Sequence, residues 1–331
     1  MMLHLSSAPL PRRALGTTGL LVTPLCAGCA PLGNMPATFG YAVSTERALA
    51  TIHAILDGPI TFVDTAASYG DGESERRIGH ALRERGGLPA GVVLATKADR
   101  DLRTGAFDSD QMRRSVERSL RLLGLDRLQL CYLHDAEHTT FEAAMRPGGA
   151  VEGLLRCKEE KLIDHLGVAA GPIALSARFV ETGLFEVALA HNRYTLLNVA
   201  ATPFWDLCAR RGVAAVNAAP YGGGILASGP RAYPRYAYRP ASDDVMTRAR
   251  RLEDVCARYG VPLAAAALQF SLRDRCVAAT IVGVSAPEQV ARTAELARYP
   301  IPDEAWVELA LVPPSTDDPE ATESVRTGGT E

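Results

Sequence analysis

Thr61-Phe62-Val63-Asp64-Thr65-Ala66-Ala67-Ser68-Tyr69-Gly70 joins an apolar run to an aspartate and, five residues on, to a tyrosine and a glycine. Two further stretches repeat the pattern of an apolar run ending in a reactive side chain. Val92-Val93-Leu94-Ala95-Thr96-Lys97 ends in a lysine, and Leu128-Gln129-Leu130-Cys131-Tyr132-Leu133-His134-Asp135 carries a histidine at its end. Short apolar runs of this kind read as buried strands. Asp64, Tyr69, Lys97 and His134 thus stand at or just past the ends of three successive predicted strands. In a barrel of parallel strands those ends open onto one face, where such folds carry their chemistry.

Around these runs the sequence alternates between the two periodicities. Arg13 to Thr23 holds Gly16 and Gly19 between short apolar pieces and reads as a hairpin. A strand follows at Pro24 to Gly28, then a helix capped by Ser44 with Ala48, Ile52, Ile55 and Leu56 at helical spacing. Helices over Glu73 to Arg85 and Ser109 to Leu123 are stopped by Gly86-Gly87 and Gly124. Val151 to Glu160, Ile173 to Thr182, Phe204 to Arg211, Asp243 to Tyr259 and a segment opened by Pro262 continue the helices, with Pro287 to Ala297 as the last. Strands at 163–168, 187–190, 213–216 and 277–282 lie between them. Eight strand–helix units, with no convincing Gly-x-Gly-x-x-Gly after the first strand, favour a closed α/β barrel, a (β/α)8 TIM barrel with an N-terminal β-hairpin, over a doubly wound sheet. The barrel is expected as a single domain over 12–312, with 1–11 and 313–331 as flexible tails.

Composition narrows the class. A chain of 331 residues, 47% hydrophobic and 22% charged, fits one globular barrel. A net charge of −3 gives no electrostatic reason to expect nucleic acid or an anionic membrane, and no apolar run approaches spanning length. Seven scattered cysteines fit a reduced, cytoplasmic protein better than a disulfide framework. Cys26-Ala27-Gly28-Cys29 has redox spacing, but its flanks are apolar and no second pair completes a zinc site, so no metal is expected. Oligomeric state is left open.

The four reactive residues suit one kind of chemistry. A tyrosine hydroxyl, with a pKa near ~10, exchanges its proton poorly at neutral pH. A neighbouring lysine ammonium favours phenolate, an aspartate holds the lysine, and a histidine can hydrogen-bond a substrate oxygen. Such a set moves a proton at a carbonyl or alcohol oxygen while a hydride moves at carbon; the hydride partner must be a nicotinamide cofactor. Singly, each residue has a plain alternative: Asp64 as a turn cap, Lys97 as a solvated strand end, Tyr69 as turn packing, His134 as a core histidine. Their common position at strand ends shifts the balance. Tyr221-Gly222-Gly223-Gly224 and Gly283-Val284-Ser285 follow the last two strands, where barrels often bind phosphate. Phe204, Trp205, Tyr233, Tyr236 and Tyr238 are candidate linings of a sugar pocket.

Over roughly residues 12–310 the chain resembles the aldo-keto reductases. The likeness lies in Phe62-Val-Asp-Thr-Ala-Ala-Ser-Tyr-Gly70, in Lys97 after Leu-Ala-Thr, in His134 after Cys-Tyr-Leu, in Gly72-Glu73-Ser74-Glu75 with Ile78-Gly79, and in the helix Ser115 to Asp126. It implies an eight-stranded barrel that interconverts carbonyls and alcohols. Tyr69 is then the proton donor or acceptor, Lys97 and Asp64 tune it, and His134 orients the substrate. Arg193 to Leu197, Asn217 to Pro220, Gly224 to Ala227 and Gly260 to Phe270 resemble the sugar dehydrogenases of this family, of the D-threo-aldose (L-fucose) and L-galactose type, with pyridoxal 4-dehydrogenase in the same neighbourhood. Against the broader family pattern, Ala169-Ala170 replaces the Ser-Asn that holds the carboxamide, His191 followed by Asn192 replaces a Gln, and Ala218 replaces the stacking aromatic, for which Tyr221 is the nearby substitute. Gln289 stands where an arginine grips the 2′-phosphate of NADP, and Gly283 where a lysine is usual. The expected cofactor is therefore NAD, with NADP as the alternative, held by Asn192, Tyr221, Gly222, Gly223, Gly224, Gly283, Ser285 and Gln289. The expected substrate is a small aldose, oxidised as its hemiacetal to the lactone. The alternatives are an NADPH-dependent aldehyde or ketone reductase, a pyridoxal 4-dehydrogenase-like enzyme, and a non-catalytic nicotinamide-binding regulatory subunit.

Overall fold

The computed structural model describes residues 10–321. A hairpin opens it: β1 (Arg13–Ala14) pairs antiparallel with β2 (Leu21–Val22). Seven apolar runs follow as β3 (Leu25–Gly28), β4 (Phe62–Asp64), β5 (Val93–Ala98), β6 (Leu128–His134), β7 (Ile163–Ala169), β8 (Val187–His191) and β9 (Ala214–Ala218). A ribbon, β10 (Arg235–Tyr236) with β11 (Arg239–Pro240), comes before the eighth, β12 (Val277–Gly283). The eight are parallel neighbours around a closed ring, in which β12 bonds to both β3 and β9. This is the expected (β/α)8 barrel. Closure leaves none of these strands with an unpaired edge.

The helices are α1 (Pro36–Phe39), α2 (Thr45–Leu56), α3 (Glu73–Glu84), α4 (Ser109–Leu123), α5 (Phe141–Met145), α6 (Ala150–Glu159) and α7 (Ile173–Glu181). They continue as α8 (Thr202–Arg211), α9 (Ile225–Ser228), α10 (Asp243–Arg258), α11 (Leu263–Leu272), α12 (Pro287–Ala297) and α13 (Asp303–Leu309). The boundaries follow local chemistry. The Ser44 hydroxyl accepts from the Arg47 amide at the start of α2, and the Asp108 carboxylate from the Gln111 amide at the start of α4. Gly124 (φ 71°) and Gly212 (φ 69°) end α4 and α8 in the left-handed conformation. Pro262 is the residue before α11 rather than its first. The expectation that α12 is the last helix is corrected by α13, which an acidic first turn at Asp303 and Glu304 and the buried pair Ala305 and Leu309 support. Among the described residues, no single helix is long and apolar enough to cross a membrane.

Strand alternation decides what the barrel holds inside. Phe62, Val93, Ala95, Leu130, Tyr132, Leu189, Val216 and Ile281 form one buried cluster, and the hairpin residues Leu15 and Val22 pack into it. Two residues on from such positions the same inner face carries Asp64, Lys97, His134, His191, Ala218 and Gly283. Register staggers them: Asp64 lies level with Ala95, and Lys97 with Tyr132. Each reactive residue is thus displaced two residues along its neighbour, as strand tilt in a closed barrel requires.

Residues 313–321, expected as the start of a flexible tail, lie instead against the barrel. Ser315 exchanges backbone hydrogen bonds with Leu197 and Val199, and the Asn198 side chain donates to the Asp317 carbonyl at 2.7 Å. Arg193, only 2% exposed, supplies the reason. A buried guanidinium needs carboxylate partners, and it takes Asp318 and Glu320, each at 2.8 Å. The acidic composition that reads as solvated chain is here the neutralising half of a buried cluster. At the other end Leu10 is buried in the core between helices and strands. The rest of the two expected tails, 1–9 and 322–331, lies outside the described residues.

Candidate active site

Eight residues, Thr65 to Gly72, separate β4 from α3, and Tyr69 is among them. The loop has little freedom. The Ser74 amide donates to the Tyr69 carbonyl at 3.2 Å, while the Ser74 hydroxyl joins Thr65 Oγ1 at 2.8 Å and the Cys29 carbonyl at 2.9 Å. Gly70 has φ 62°, and a Cβ there would sit 1.9 Å from the Gly33 carbonyl oxygen. Only glycine permits both that conformation and that approach.

Lys97 is the hub. It is 1% exposed, and its three N–H groups are all spent: on Asp64 Oδ1 at 2.5 Å, on the Thr65 carbonyl at 2.8 Å and on the Tyr69 hydroxyl oxygen at 3.0 Å. Because the lysine donates to the phenolic oxygen, the Tyr69 proton is left free for another acceptor. Burial by itself lowers the Lys97 pKa, but Asp64 and Tyr69 more than offset it and keep the ammonium charged. Burial raises the Asp64 carboxyl, with Lys97 pulling it back in part. For Tyr69 the lysine acts in the expected direction but does not set the outcome. Lys97 does pull downward, yet burial is the larger effect, and the hydroxyl is pushed up to about 12.

His134 stands edge-on to Tyr69, with ring centroids 5.9 Å apart at 86°. Its Nδ1 lies 2.7 Å from Asp99 Oδ1, and its Nε2 lies 3.3 Å from Asp135 Oδ1. A carboxylate only accepts, so Nδ1 carries a proton. The Ser68 amide holds the other Asp99 oxygen at 2.9 Å. Burial lowers the imidazole pKa, and Lys97 nearby does the same, but the Asp99 and Asp135 carboxylates reverse the net direction to upward. Asp99 was not among the sequence candidates. It lies two residues past Lys97, immediately beyond the end of β5, and that spacing is the signal that finds it. Asp99→Asn is expected to lower the midpoint of the His134 ring titration followed by NMR. An unchanged midpoint would show that the charge of Asp99 does not hold the imidazole up.

A cavity of about 870 Å³ follows the ends of β9 and β12, and none of Asp64, Tyr69, Lys97 and His134 is among the residues that line it. Its volume lies in the upper part of the range for small-molecule sites. Of the expected cofactor residues, Tyr221, Gly223, Gly224, Gly283, Ser285 and Gln289 line it. Gly222 does not: it turns the chain, with the Tyr236 ring against it. Asn192, the residue after β8, is fully buried and does not line the cavity. Of the candidate sugar-pocket aromatics, Tyr233 and Tyr238 line the cavity, joined by Phe39 and Tyr41 from the loop after β3. Phe204 and Trp205 do not; both are buried in the outer core, where Trp205 packs against Tyr194. Neither carries a polar or periodic cue that would have told core from pocket.

These residues fit a dinucleotide. A Cβ on Gly283 would meet nothing nearer than the Pro31 ring at 3.6 Å, so a side chain there would occupy the groove itself. Gly224, with φ 129°, would drive a Cβ to 2.9 Å from the Tyr233 ring.

Residues 24–311 match the aldo/keto reductase family model. The chain belongs to the aldo/keto reductase family. It is an NAD(P)-dependent oxidoreductase acting on a small molecule. Pyridoxal 4-dehydrogenase of Microbacterium luteolum is 31% identical, over 93% of this chain and 98% of its own. D-threo-aldose 1-dehydrogenase of a Pseudomonas species is 32% identical, over 90% of this chain and 96% of its own. An aldo-keto reductase from Bacillus halodurans, solved in its holo form, superposes with a TM-score of 0.74 at 22% identity, covering 94% of this chain and 98% of that one. That structure speaks for the barrel alone. Within the family, Cys26 and Cys29 are not reactive thiols: both are buried, and burial pushes both thiols up, away from thiolate.

Proposed function

We propose that this aldo/keto reductase oxidises a cyclic sugar hemiacetal to its lactone with NAD. The observation that carries the reading is the arrangement around Lys97, in which a charged, fully engaged ammonium leaves the Tyr69 proton free. Tyr69 is the group that exchanges a proton with the anomeric hydroxyl. Lys97 stabilises the phenolate that each cycle forms, and Asp64 keeps Lys97 in place. His134, backed by Asp99, orients the same substrate oxygen. A nicotinamide held in the cavity would supply the acceptor for the hydride that leaves C1.

The likeness to D-threo-aldose 1-dehydrogenase supports an aldose as substrate. The comparable likeness to pyridoxal 4-dehydrogenase supports a second reading, oxidation of pyridoxal. Pyridoxal also closes into an internal hemiacetal on its neighbouring hydroxymethyl group, so the same proton and hydride steps apply. The seven free cysteines, six of them buried, support a reducing, cytoplasmic setting.

The cofactor end of the cavity supports NAD. Gln289 is uncharged, and its side-chain oxygen is taken by the Ser285 amide at 2.7 Å. The arginines at this end are already paired, Arg47 with Glu288 at 2.9 Å and Arg292 with Glu295 at 3.2 Å. Gln289→Arg is expected to shift kcat/KM by about 10- to 100-fold toward NADP, the worth of one charged hydrogen bond. If the ratio of the two cofactors does not move, position 289 does not read the ribose.

The test of the reading is cofactor reduction by the purified protein, offered NAD and NADP separately with L-fucose, L-galactose, D-arabinose and pyridoxal. Turnover of a sugar with NAD supports the proposal, and turnover of pyridoxal alone moves it to the second reading. Consumption of NADPH with simple aldehydes, and oxidation of none of these, would overturn both.

A further inference from the structure

We propose that a second groove, beside α4, binds a dianionic phosphate group, either free or as the head of a phosphomonoester. The groove encloses about 590 Å³ between the loop after β4, the loop after β5 and one face of α4. It shares no lining residue with the larger cavity at β9 and β12. Apart from Ala67 and Leu102, every residue that lines it is polar or charged, which suits an ion rather than an apolar ligand.

Five of the lining residues are arginines: Arg100, Arg103, Arg114, Arg118 and Arg121. Three of them stand on α4 at 114, 118 and 121, the spacing that brings side chains onto one helix face. Like charges at that spacing destabilise a helix unless something neutralises them. The helix macrodipole accounts for Arg121, in the last turn of α4, but not for Arg114, in its second.

The carboxylates in the groove are already committed. Asp99 holds His134 at 2.7 Å and the Ser68 amide at 2.9 Å. Asp101 Oδ1 accepts from the amides of Arg103 and Thr104 at 2.8 and 2.9 Å. Glu117 pairs with Arg113, which does not line the groove, at 2.9 Å, and Asp71 pairs with Arg118 at 2.8 Å. What remains is positive. Arg121 has no hydrogen-bond or ion-pair partner among the described residues. Arg114 spends only its Nε, on the neutral Gln111 oxygen at 3.1 Å, and Arg100 lies 4.0 Å from Asp135. A guanidinium offers a planar fork of donors that matches the oxygens of a phosphate. Arg114 and Arg121, on either side of Arg118, supply the main contacts, with Arg103 from the loop after β5. The groove also backs onto the catalytic residues: its Ser68 precedes Tyr69, and its Asp99 is the partner of His134.

The test is calorimetric titration of the full chain with inorganic phosphate, against sodium chloride at equal ionic strength. The natural protein is expected to half-saturate at about 1 mM, the worth of two or three charge-assisted hydrogen bonds. Arg114→Gln and Arg121→Gln are each expected to weaken binding by about tenfold or more. Both side chains are exposed, and removing either relieves repulsion by Arg118, so without phosphate each variant is expected to melt no lower than the natural protein. Saturating NADH is expected to change phosphate affinity by less than about twofold. Displacement by NADH would place the ion in the coenzyme cavity and overturn the proposal. So would no heat above the chloride control, or unchanged affinity in the double variant Arg114→Gln with Arg121→Gln. Glycerol 3-phosphate separates the two sources. Tighter binding than phosphate marks the site as one for phosphomonoesters, and weaker binding marks it as one for the free ion. None of these readouts needs turnover, so failure of the sugar reading leaves them standing.

Discussion

Tyr69→Phe is expected to lower kcat for the oxidised substrate by about 10²- to 10⁴-fold, the usual worth of a positioned acid–base group, with NADH affinity unchanged within about twofold. Phenylalanine keeps the ring that His134 abuts edge-on and removes only the oxygen. Lys97 keeps two of its three acceptors, Asp64 and Thr65. The loss is therefore chemical rather than structural. A pH profile gives the same group a second test. With the hydroxyl pushed up to about 12, Tyr69 is protonated at neutral pH and suited to donate. Oxidation needs the opposite form, so its rate is expected to climb as pH rises from 6 toward 9, by up to about tenfold per unit. Full activity in Tyr69→Phe, or a flat profile in the natural protein, would remove Tyr69 from the mechanism.

Lys97→Met is expected to cost about 3–5 kcal/mol of folding stability, because it leaves Asp64 buried without its counter-charge. Asp64 is poorly placed to bear that loss, since its Oδ2 already lacks a hydrogen-bond partner. The double variant Asp64→Asn with Lys97→Met removes both charges together. It is expected to recover most of the stability and none of the activity. Denaturant melts and turnover assays on the three proteins separate the two roles of the pair. If the double variant is no more stable than Lys97→Met alone, the pair is not the source of the loss.

The barrel was legible because eight apolar runs alternate with helical segments whose caps are written in single residues such as Ser44 and Gly124. The site was legible for a related reason. Asp64, Lys97 and His134 keep strand parity with buried residues two positions earlier, so a correct strand assignment places them on the inner face. What stayed hidden depended on partners far away in sequence. Asp99 keeps the two-residue spacing but acquires meaning only beside His134, thirty-five residues on. Glu320 sits in a stretch whose composition argues for solvent, and only the burial of Arg193 reverses that argument. The net direction of the Tyr69 pKa was also beyond reach, because it turns on how much burial opposes Lys97.

Tyr69, Lys97 and His134 come from β4 to β6 and their loops, whereas Gly223, Gly224, Gly283 and Gln289 come from the chain after β9. Gln289 hydrogen-bonds to Ser285, Ala286 and Thr293, and none of these is a partner of Lys97, which bonds to Asp64, Thr65 and Tyr69. Substitutions without shared partners tend to add in free energy. On the proposed reading, coenzyme choice and reaction chemistry are separate modules on one ring, open to independent drift and to recombination at the seam between them.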